Sequence, residues 1–321
     1  MAMPSSEKQP DHAPQPRDPA LPGTPQATAS QPFGFLLIDK PKDITSFYVV
    51  KTLRKIFYVK RIGYAGTLDP LATGLMIVAI GEATKLLNAL EQMDKVYDVT
   101  IQFGATSETY DAEGPIHLFQ NPRQPSEEEI SQFLSKDFSG EQQQVPPRYS
   151  AVKIQGKRAY ALARKGKEVQ IPAKKVVFHD IKVRKFEYPF LECSVHCSSG
   201  TYIRSFAHDL GQKLGCGGYV QSLRRTKISM YRIEDSVPLP ELTKENCRQL
   251  LIPPQKFLHD WQQCELTEDE YKHLCTGGFS HNRWKIKEGY PLAIFQDTNV
   301  GLLELCEEGR SMKFAKKFNL G

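Results

Sequence analysis

Apolar and polar positions along the chain follow two periodicities, which predict both strands and helices. In residues 95–103 every second position from Tyr97 onward is apolar, which places that tyrosine on the inward face of a strand. Short apolar runs bounded by turn residues predict buried strands as well. The predicted strands span residues 35–38, 75–80, 95–103, 176–188 and 191–197.

The helical periodicity is clearest after the first strand. A helix is predicted from Thr45 or Ser46, either of which can cap it, to about Tyr58. Its lysines and arginines lie opposite its apolar stripe, which is usual for a solvated helix face. Further helices are predicted at residues 82–90, 120–140 and 201–214. Because strands and helices do not alternate regularly, the pattern favours an α+β fold over a doubly wound parallel sheet.

Composition divides the chain into three parts. Residues 1–32 contain eight of the 22 prolines and no aromatic residue, so they offer too little burial to offset the entropy of ordering. We expect them to form a disordered, Pro-rich tail. Residues 33–252 are predicted to form the main domain. Beyond them the pattern changes to short strands and turns, which predicts a small C-terminal β module over residues 253–321.

Charge and cysteine content narrow the classes of function. The 321 residues carry a formal net charge of +5, and this mild basicity permits a nucleic-acid partner without requiring one. The sequence has no apolar run of about 18 residues and no secretory signal, so we expect no membrane span. Its seven scattered cysteines do not suggest a disulfide framework and favour a reducing cytoplasm.

Several common catalytic motifs are missing from the sequence. There is no GxxxxGK[ST] phosphate loop, no HExxH, no CxxC and no carboxylate cluster of the kind a metal-dependent nuclease needs. The one metal-like group is Cys193, His196 and Cys197. Strand alternation places both cysteines on the apolar face and the histidine on the other, so we interpret the cysteines as buried thiols rather than ligands.

Two charged residues have unusual local settings. Asp69 precedes Pro70 in a loop flanked by glycines, an arrangement that presents one carboxylate rigidly, although a turn-capping aspartate is the alternative. Arg204 lies in the first turn of a predicted helix, where a cation opposes the helix dipole. A carboxylate such as Asp69 would be a suitable partner for it.

Seven motifs, taken in order along the chain, are typical of one enzyme family. They are residues 34–41 (GFLLIDKP), 66–74 (GTLDPLATG), 81–85 (GEATK), 95–97 (KVY), 147–153 (PRYSAVK), 200–204 (GTYIR) and 223–225 (LRR). Through them the chain resembles the TruB family of tRNA pseudouridine synthases from about Phe33 to about Arg225. Each motif is short, but the whole set in this order is highly specific.

The resemblance implies a fold and a reaction. The fold is a pseudouridine synthase catalytic core over residues 33–252, with a mixed, largely antiparallel sheet flanked by helices, followed by a PUA-like, RNA-binding β module over residues 253–321. In the reaction, the uridine at position 55 in the TΨC loop of tRNA has its base detached from ribose, turned and rejoined through a ring carbon. The resemblance implies tRNA as partner, no cofactor, no metal, no membrane and no obligatory protein partner, and we expect a cytoplasmic monomer.

The resemblance also implies roles for individual residues. Asp69 matches the catalytic aspartate, and both covalent addition and base catalysis on the ribose remain open for it. Arg204 matches the arginine that pairs with this carboxylate. Tyr97 matches the tyrosine that stacks on the target base, although core packing is the default for an inward-facing aromatic. The residues that the resemblance places around the substrate are Tyr64, Tyr97, Tyr202 and Leu223.

Basic residues complete the implied site. The basic stretch 141–175 matches an RNA-gripping insertion, whose lysines and arginines can neutralise phosphates. Its residues implied to contact the RNA backbone are Lys153, Lys157 and Arg158. Lys40 and Lys85 fall within matching motifs and are implied to support the site.

Tyr64 departs from the family pattern, which usually has histidine at this place before the Gly-Thr/Ala-Leu-Asp loop. Tyrosine keeps a ring and a hydroxyl but cannot become cationic near neutral pH. We therefore expect loop opening or selectivity to differ, without a direct effect on catalysis at Asp69.

Two functions of other classes remain as alternatives. A non-catalytic tRNA-binding protein or RNA chaperone of the same fold would not need all four of Asp69, Tyr97, Tyr202 and Arg204. A guide-RNA-directed synthase with protein partners is the other alternative, but residues 71–74 and the short C-terminal module favour the stand-alone type.

Overall fold

A computed structural model describes residues 32–150, 153–154, 157–158, 171–287 and 289–320. The α-helices are α1 (Ser46–Phe57), α2 (Leu87–Glu91), α3 (Glu127–Asp137), α4 (Ile203–Lys213), α5 (Pro254–Phe257) and α6 (Glu268–Cys275). Short 3-10 helices lie at Gly81–Leu86, Ile233–Asp235, Leu239–Glu241 and Glu307–Gly309. None of the helices in this described part of the chain is long and apolar enough to span a membrane.

The strands of the described residues form two main sheets and two small two-stranded sheets. They are β1 (Gly34–Lys40), β2 (Ile62–Ala65), β3 (Thr73–Ile80), β4 (Lys95–Phe103), β5 (Ala105–Ser107), β6 (Ile116–Leu118), β7 (Gly140–Gln144), β8 (Lys153–Ile154), β9 (Lys157–Arg158), β10 (Lys174–Glu187), β11 (Phe190–Cys197), β12 (Gly218–Ile228), β13 (Tyr231–Arg232), β14 (Val237–Pro238), β15 (Gln263–Glu265), β16 (Ser280–His281), β17 (Leu292–Phe295), β18 (Thr298–Cys306) and β19 (Ser311–Leu320).

The large sheet has the order β14-β1-β3-β12-β4-β11-β10-β7, with β2 paired to β3 and β13 paired to β12. Two of its pairings, β1 with β14 and β3 with β12, are parallel, and the others are antiparallel. The sheet is therefore mixed and largely antiparallel, and the expected α+β class is confirmed.

The core forms on both faces of this sheet because β3 is apolar at nearly every position. On one face, Met76 and Val78 of β3 pack in a cluster with the inward side of β4 and with Phe206 of α4. On the other face, Leu75 and Ile77 belong to a second cluster. This double burial explains why β3 appears in the sequence as a continuous apolar run rather than as an alternating one.

The second sheet has the order β15-β17-β18-β19-β16 and lies in the C-terminal part of the chain. A third apolar cluster lies on it, while Leu292 and Leu302 of this sheet reach into the second cluster beside Phe35 and Phe257. The rings of Phe35 and Phe257 stack with centroids 3.8 Å apart. The C-terminal sheet is thus packed directly against the large one.

Helix α1 positions the loop that carries Asp69. Thr45 caps the helix by accepting a hydrogen bond from the Tyr48 amide at 3.1 Å, as the sequence predicts. Its buried stripe of Val49, Leu53 and Phe57 packs in the first cluster. Burial of this stripe fixes the helix against the sheet, so its N-terminus becomes a firm support for neighbouring segments.

Candidate active site

Asp69 lies in the loop that joins β2 to β3, and two glycines shape this loop. Gly66 and Gly74 have φ angles of 71° and 105°, which other residues rarely adopt. A Cβ atom on Gly74 would lie 2.3 Å from the carbonyl oxygen of Arg225 on the neighbouring strand. The loop therefore begins and ends at positions that require glycine, which explains the glycines that bracket it in the sequence.

Side chains from β1 and α1 form hydrogen bonds with the backbone of the Asp69 loop and its neighbouring segment. The Ser46 hydroxyl donates to the Leu68 carbonyl and accepts from the Leu68 amide, both at 2.9 Å. The Lys40 ammonium group is fully buried and donates to the carbonyls of Ile44 at 2.7 Å and Pro70 at 3.3 Å. Burial lowers the pKa of Lys40 to about 8. Lys40 thus supports the loop through backbone contacts on the C-terminal side of Asp69.

Arg204 provides the charge partner of Asp69. Its Nε lies 2.9 Å from the Asp69 Oδ2, which confirms the pairing that its position in the first turn of α4 suggests. The arginine side chain is 7% exposed, whereas that of Asp69 is 39% exposed. The carboxylate is therefore fixed from its buried side and remains open to a substrate on the other.

A second carboxylate, that of Asp111, contacts the same guanidinium group. Its Oδ2 is 3.4 Å from Arg204 Nη1, and its side chain is 2% exposed. The guanidinium also donates to the carbonyls of Thr109 at 2.9 Å and Tyr149 at 3.0 Å. Asp111 is itself held by the Thr109 hydroxyl at 2.5 Å and the Glu113 amide at 3.0 Å. Arg204 therefore has partners on several sides and a fixed orientation toward Asp69.

The surroundings of Asp69 shift its protonation. Burial raises its pKa above the ordinary value of 3.8, Asp111 raises it further, and Arg204 opposes both effects. As the pH falls through this raised pKa, the carboxyl group gains a proton and loses both its ion pair and its reactivity. We expect the single-turnover rate to fall along an acidic limb whose apparent pKa lies above 3.8.

The measurement is the single-turnover rate as a function of pH, with circular dichroism at each pH to separate titration from acid unfolding. A rate that stays constant down to about pH 4 while the fold is intact would contradict a raised pKa at Asp69.

Tyr97 and Arg225 face each other on β4 and β12. Arg225 is buried and donates from Nε to the Leu75 carbonyl at 2.7 Å and from Nη2 to the Gly66 carbonyl at 3.1 Å. Burial raises the pKa of Tyr97, and a hydrogen bond from the Arg225 guanidinium opposes this effect. Arg225 therefore connects the Asp69 loop, through the Gly66 carbonyl, to the strand position that faces Tyr97.

Two substitutions separate the ring of Tyr97 from its hydroxyl. We expect Tyr97→Phe to fold and keep the stacking surface but to turn over slowly, because it lacks the hydroxyl bonded to Arg225. Tyr97→Leu should lose a further ~5–150-fold, since base stacking contributes about 1–3 kcal/mol. Single-turnover rates and melting temperatures check this, and wild-type rates in both variants would return Tyr97 to a purely packing role.

Further predicted pocket residues lie on the segments next to this centre. Tyr202 is the N-cap residue of α4 and exchanges two backbone hydrogen bonds with the Gln144 side chain, at 2.8 and 3.0 Å. Leu223 lies on β12, two positions before Arg225, and is 9% exposed. Tyr64 lies on β2, and its hydroxyl is 3.4 Å from the Thr67 hydroxyl at the start of the loop.

Lys85, which the resemblance implies as a support of the site, pairs with a carboxylate on its own segment. Lys85 lies on the 3-10 helix Gly81–Leu86, where its ammonium group pairs with Glu82 at 2.5 Å. Lys153, Lys157 and Arg158 belong to the paired strands β8 and β9, but their side chains lie outside the described residues. Cys193 and Cys197 are buried, which confirms their interpretation as core thiols.

Sequence reasoning missed three residues of this centre: Ser46 as a loop support, Asp111 and Arg225. Asp111 lies in a turn-rich segment with no periodicity, and nothing local connects it to Arg204. Arg225 stands beside Arg224 in a pair of basic residues, which is usually a surface feature. The available signal was the LRR motif, which contained both arginines without showing that one of them is buried.

The chain is similar to known proteins over most of its length. Residues 54–203 match the family described as TruB family pseudouridylate synthase (N terminal domain), and residues 204–253 match the tRNA pseudouridylate synthase B C-terminal domain. The chain is 38% identical to tRNA pseudouridine synthase B of Clostridium tetani, over 86% of this chain and 96% of that protein. It is 40% identical to the protein of the same name from Nitrosococcus oceani, over 86% and 88%.

A solved structure supports the fold. A chain from the crystal structure of a Cbf5–Nop10–Gar1 complex superposes with a TM-score of 0.67 and 22% identity, covering 90% of this chain and 85% of that one. At this identity the likeness concerns the fold alone. The family matches and the relatives show that the chain belongs to the TruB family of pseudouridylate synthases.

Proposed function

We propose that this pseudouridine synthase isomerises uridine to pseudouridine at position 55 in the TΨC loop of tRNA. The observation that carries the proposal is the Asp69 carboxylate, which is partly exposed and held 2.9 Å from a buried Arg204. The relatives named tRNA pseudouridine synthase B support tRNA as the substrate.

The proposed reaction conserves all atoms and electrons. The bond between ribose C1′ and uracil N1 breaks, the uracil turns, and C1′ bonds to C5 of the ring. The C5 proton then leaves and N1 takes up a proton. Because no oxidation or group transfer occurs, the balance requires no redox cofactor or co-substrate.

Asp69 is the proposed catalytic residue. Its carboxylate can add covalently to the substrate or remove a proton from the ribose, and both routes need the ionised form. Arg204 keeps the carboxylate oriented and favours this ionised form. The Arg204–Asp111 contact at 3.4 Å restrains the guanidinium group, so its orientation toward Asp69 depends little on whether substrate is bound.

The base must leave its stack to reach this carboxylate. Unstacking costs a few kcal/mol, and stacking on an aromatic side chain recovers about 1–3 kcal/mol of it. We assign this stacking to Tyr97, and we propose that Tyr202 and Leu223 also line the pocket for the base. Tyr64 provides a ring at the position where the family pattern usually has histidine, so we assign it packing and one hydroxyl rather than charge.

The basic stretch 141–175 is the proposed grip on the tRNA backbone. Replacing Lys153, Lys157 and Arg158 together with alanine should weaken tRNA binding, and each lost phosphate contact should lower the slope of log affinity against log salt by up to about 0.9. Turnover at saturating tRNA should change less. Filter binding at several salt concentrations and single-turnover rates check this; an unchanged slope with collapsed turnover would place the stretch in the active site.

The remaining expectations complete the proposal. We assign catalysis to residues 33–252 and RNA binding to the β module at 253–321, with residues 1–32 as a dispensable tail. The protein acts in the cytoplasm as a monomer without an obligatory protein partner. Lys85 supports its own segment through Glu82 rather than by touching the substrate.

The test uses the purified full-length chain and an unmodified tRNA transcript. Pseudouridine is mapped by carbodiimide labelling and reverse transcription, and a transcript with cytidine at position 55 is the matched control. Conversion confined to position 55 supports the proposal. Tight binding without conversion would favour the non-catalytic alternative, and conversion elsewhere would leave the reaction class but overturn the site.

A further inference from the structure

Three potential metal ligands meet on the outer face of the large sheet, away from Asp69. They are Asp94, which directly precedes β4, His196 on β11 and His179 on β10. One ligand atom from each lies within 4.8 Å of the other two. Neither the proposed reaction nor the family motifs use any of these side chains.

The strand register explains why the two histidines meet. Phe178 pairs with Cys197 and Asp180 with His196, so β10 contains an extra residue, His179, at a β-bulge. A bulge changes the direction of the side chain that it contains. His196 alternates with the buried Val195 and Cys197 and therefore points outward. The bulge brings His179 to the same outer face.

The distances suit a small transition-metal ion. His179 Nε2 lies 3.0 Å from Asp94 Oδ2, and the two histidine rings lie 4.7 Å apart with a tilt of 41°. Bonds of about 2.0–2.2 Å in a tetrahedral site place its ligand atoms roughly 3.3 Å apart, so modest side-chain rotations would close the cluster. We propose that Asp94, His179 and His196 form a binding site for a divalent transition metal of the zinc type, with an open fourth position.

The surroundings indicate what occupies that fourth position. A depression of about 230 Å³ adjoins the cluster and is lined by residues that include Ser194, Lys182 and Lys227. Lys182 is paired with Asp180 at 3.3 Å, and Lys227 places a further positive charge beside His196. A dication with one carboxylate ligand keeps a net positive charge, so water or a small anion is the fitting fourth ligand.

The metal would connect three neighbouring strands at one end of the sheet. Since Tyr97 lies on the inward face of β4 and Val96 lines the outer depression, the site and the catalytic pocket are on opposite faces. A ligand that binds the folded but not the unfolded chain stabilises it by mass action. The expected consequence is a higher melting temperature, with little change in turnover.

The test titrates chelator-treated, full-length protein with Zn²⁺ and, for spectroscopy, with Co²⁺. We expect one equivalent to bind, with a melting temperature raised by roughly 5 °C when free metal is about 100 times Kd. His196→Ala and His179→Ala should each lower the affinity by at least about tenfold. His259→Ala is the matched control, because His259 forms an exposed pair with Asp260 at 3.0 Å and belongs to no three-ligand group within the part of the chain that the structure describes.

Each other outcome overturns the proposal. Equal affinities in the wild type, His196→Ala and His179→Ala proteins would show that the metal binds elsewhere or not at all. Strong near-ultraviolet thiolate absorption with Co²⁺ would place it on the partly exposed Cys275 or Cys306. Loss of binding in His259→Ala alone would assign it to the control pair.

Discussion

Asp69→Asn is expected to reduce single-turnover isomerisation by at least about 1000-fold while leaving tRNA affinity nearly unchanged. Asparagine is almost the same size, but its amide can neither attack the substrate nor accept a proton as a carboxylate does. Binding should persist because most of the affinity comes from phosphate contacts elsewhere. Measurement requires enzyme in excess over tRNA, so that product release does not limit the rate.

The matched control for this variant is Asp137→Asn. Asp137 is also an ion-paired carboxylate, 2.9 Å from Lys213 Nζ, but it lies on α3 rather than in the β2–β3 loop. It should retain wild-type turnover. Activity of Asp69→Asn within tenfold of the wild type would end the assignment of Asp69 as the catalytic residue.

Local chemistry was enough to predict the part of the site that lies in one loop and one helix turn. Asp69 stands between two glycines and before a proline, and Arg204 stands where a helix dipole disfavours a cation. In each case the neighbouring residues in the sequence are enough to show why the position is unusual. Their contact at 2.9 Å therefore confirmed the expected pairing of Asp69 with Arg204, which was inferred from the unusual local setting of each residue.

The rest of the site depends on pairings between distant strands. Arg225 faces Tyr97 on one side and Gly74 on the other only because β12 lies between β4 and β3. No periodicity predicted β12, since its polar residues and two register shifts interrupt the alternation expected of a strand. Burial of an arginine is also contrary to its usual preference, so its supporting role was not visible in the sequence.

Pairing between strands also limited what the sequence could predict about the outer face of the sheet. Alternation correctly predicted that His196 points away from the two buried cysteines. It could not predict that a bulge would bring His179 beside it, because a single extra residue changes the phase of the strand. From the sequence, the group around His196 is interpreted as buried thiols rather than a metal site, and the structure shows Asp94 and His179 as the potential ligands beside this histidine.

Arg204→Met should reduce both activity and stability. Methionine replaces the apolar stem but leaves Asp111, with 2% exposure, as a buried carboxylate without its partner. Breaking a buried ion pair in this way costs about 3–5 kcal/mol of the free energy of unfolding. Turnover should fall because Asp69 loses the donor at 2.9 Å that orients it and favours its ionised form.

A double variant separates these two effects. In Arg204→Met/Asp111→Asn the buried negative charge is gone, so we expect denaturant unfolding to recover a good part of the lost stability. Turnover should stay low, because Asp69 still has no guanidinium partner. Recovery of stability and turnover together would mean that Arg204 acts through the fold alone. Recovery of stability without turnover would show that its contact with Asp69 serves the reaction directly.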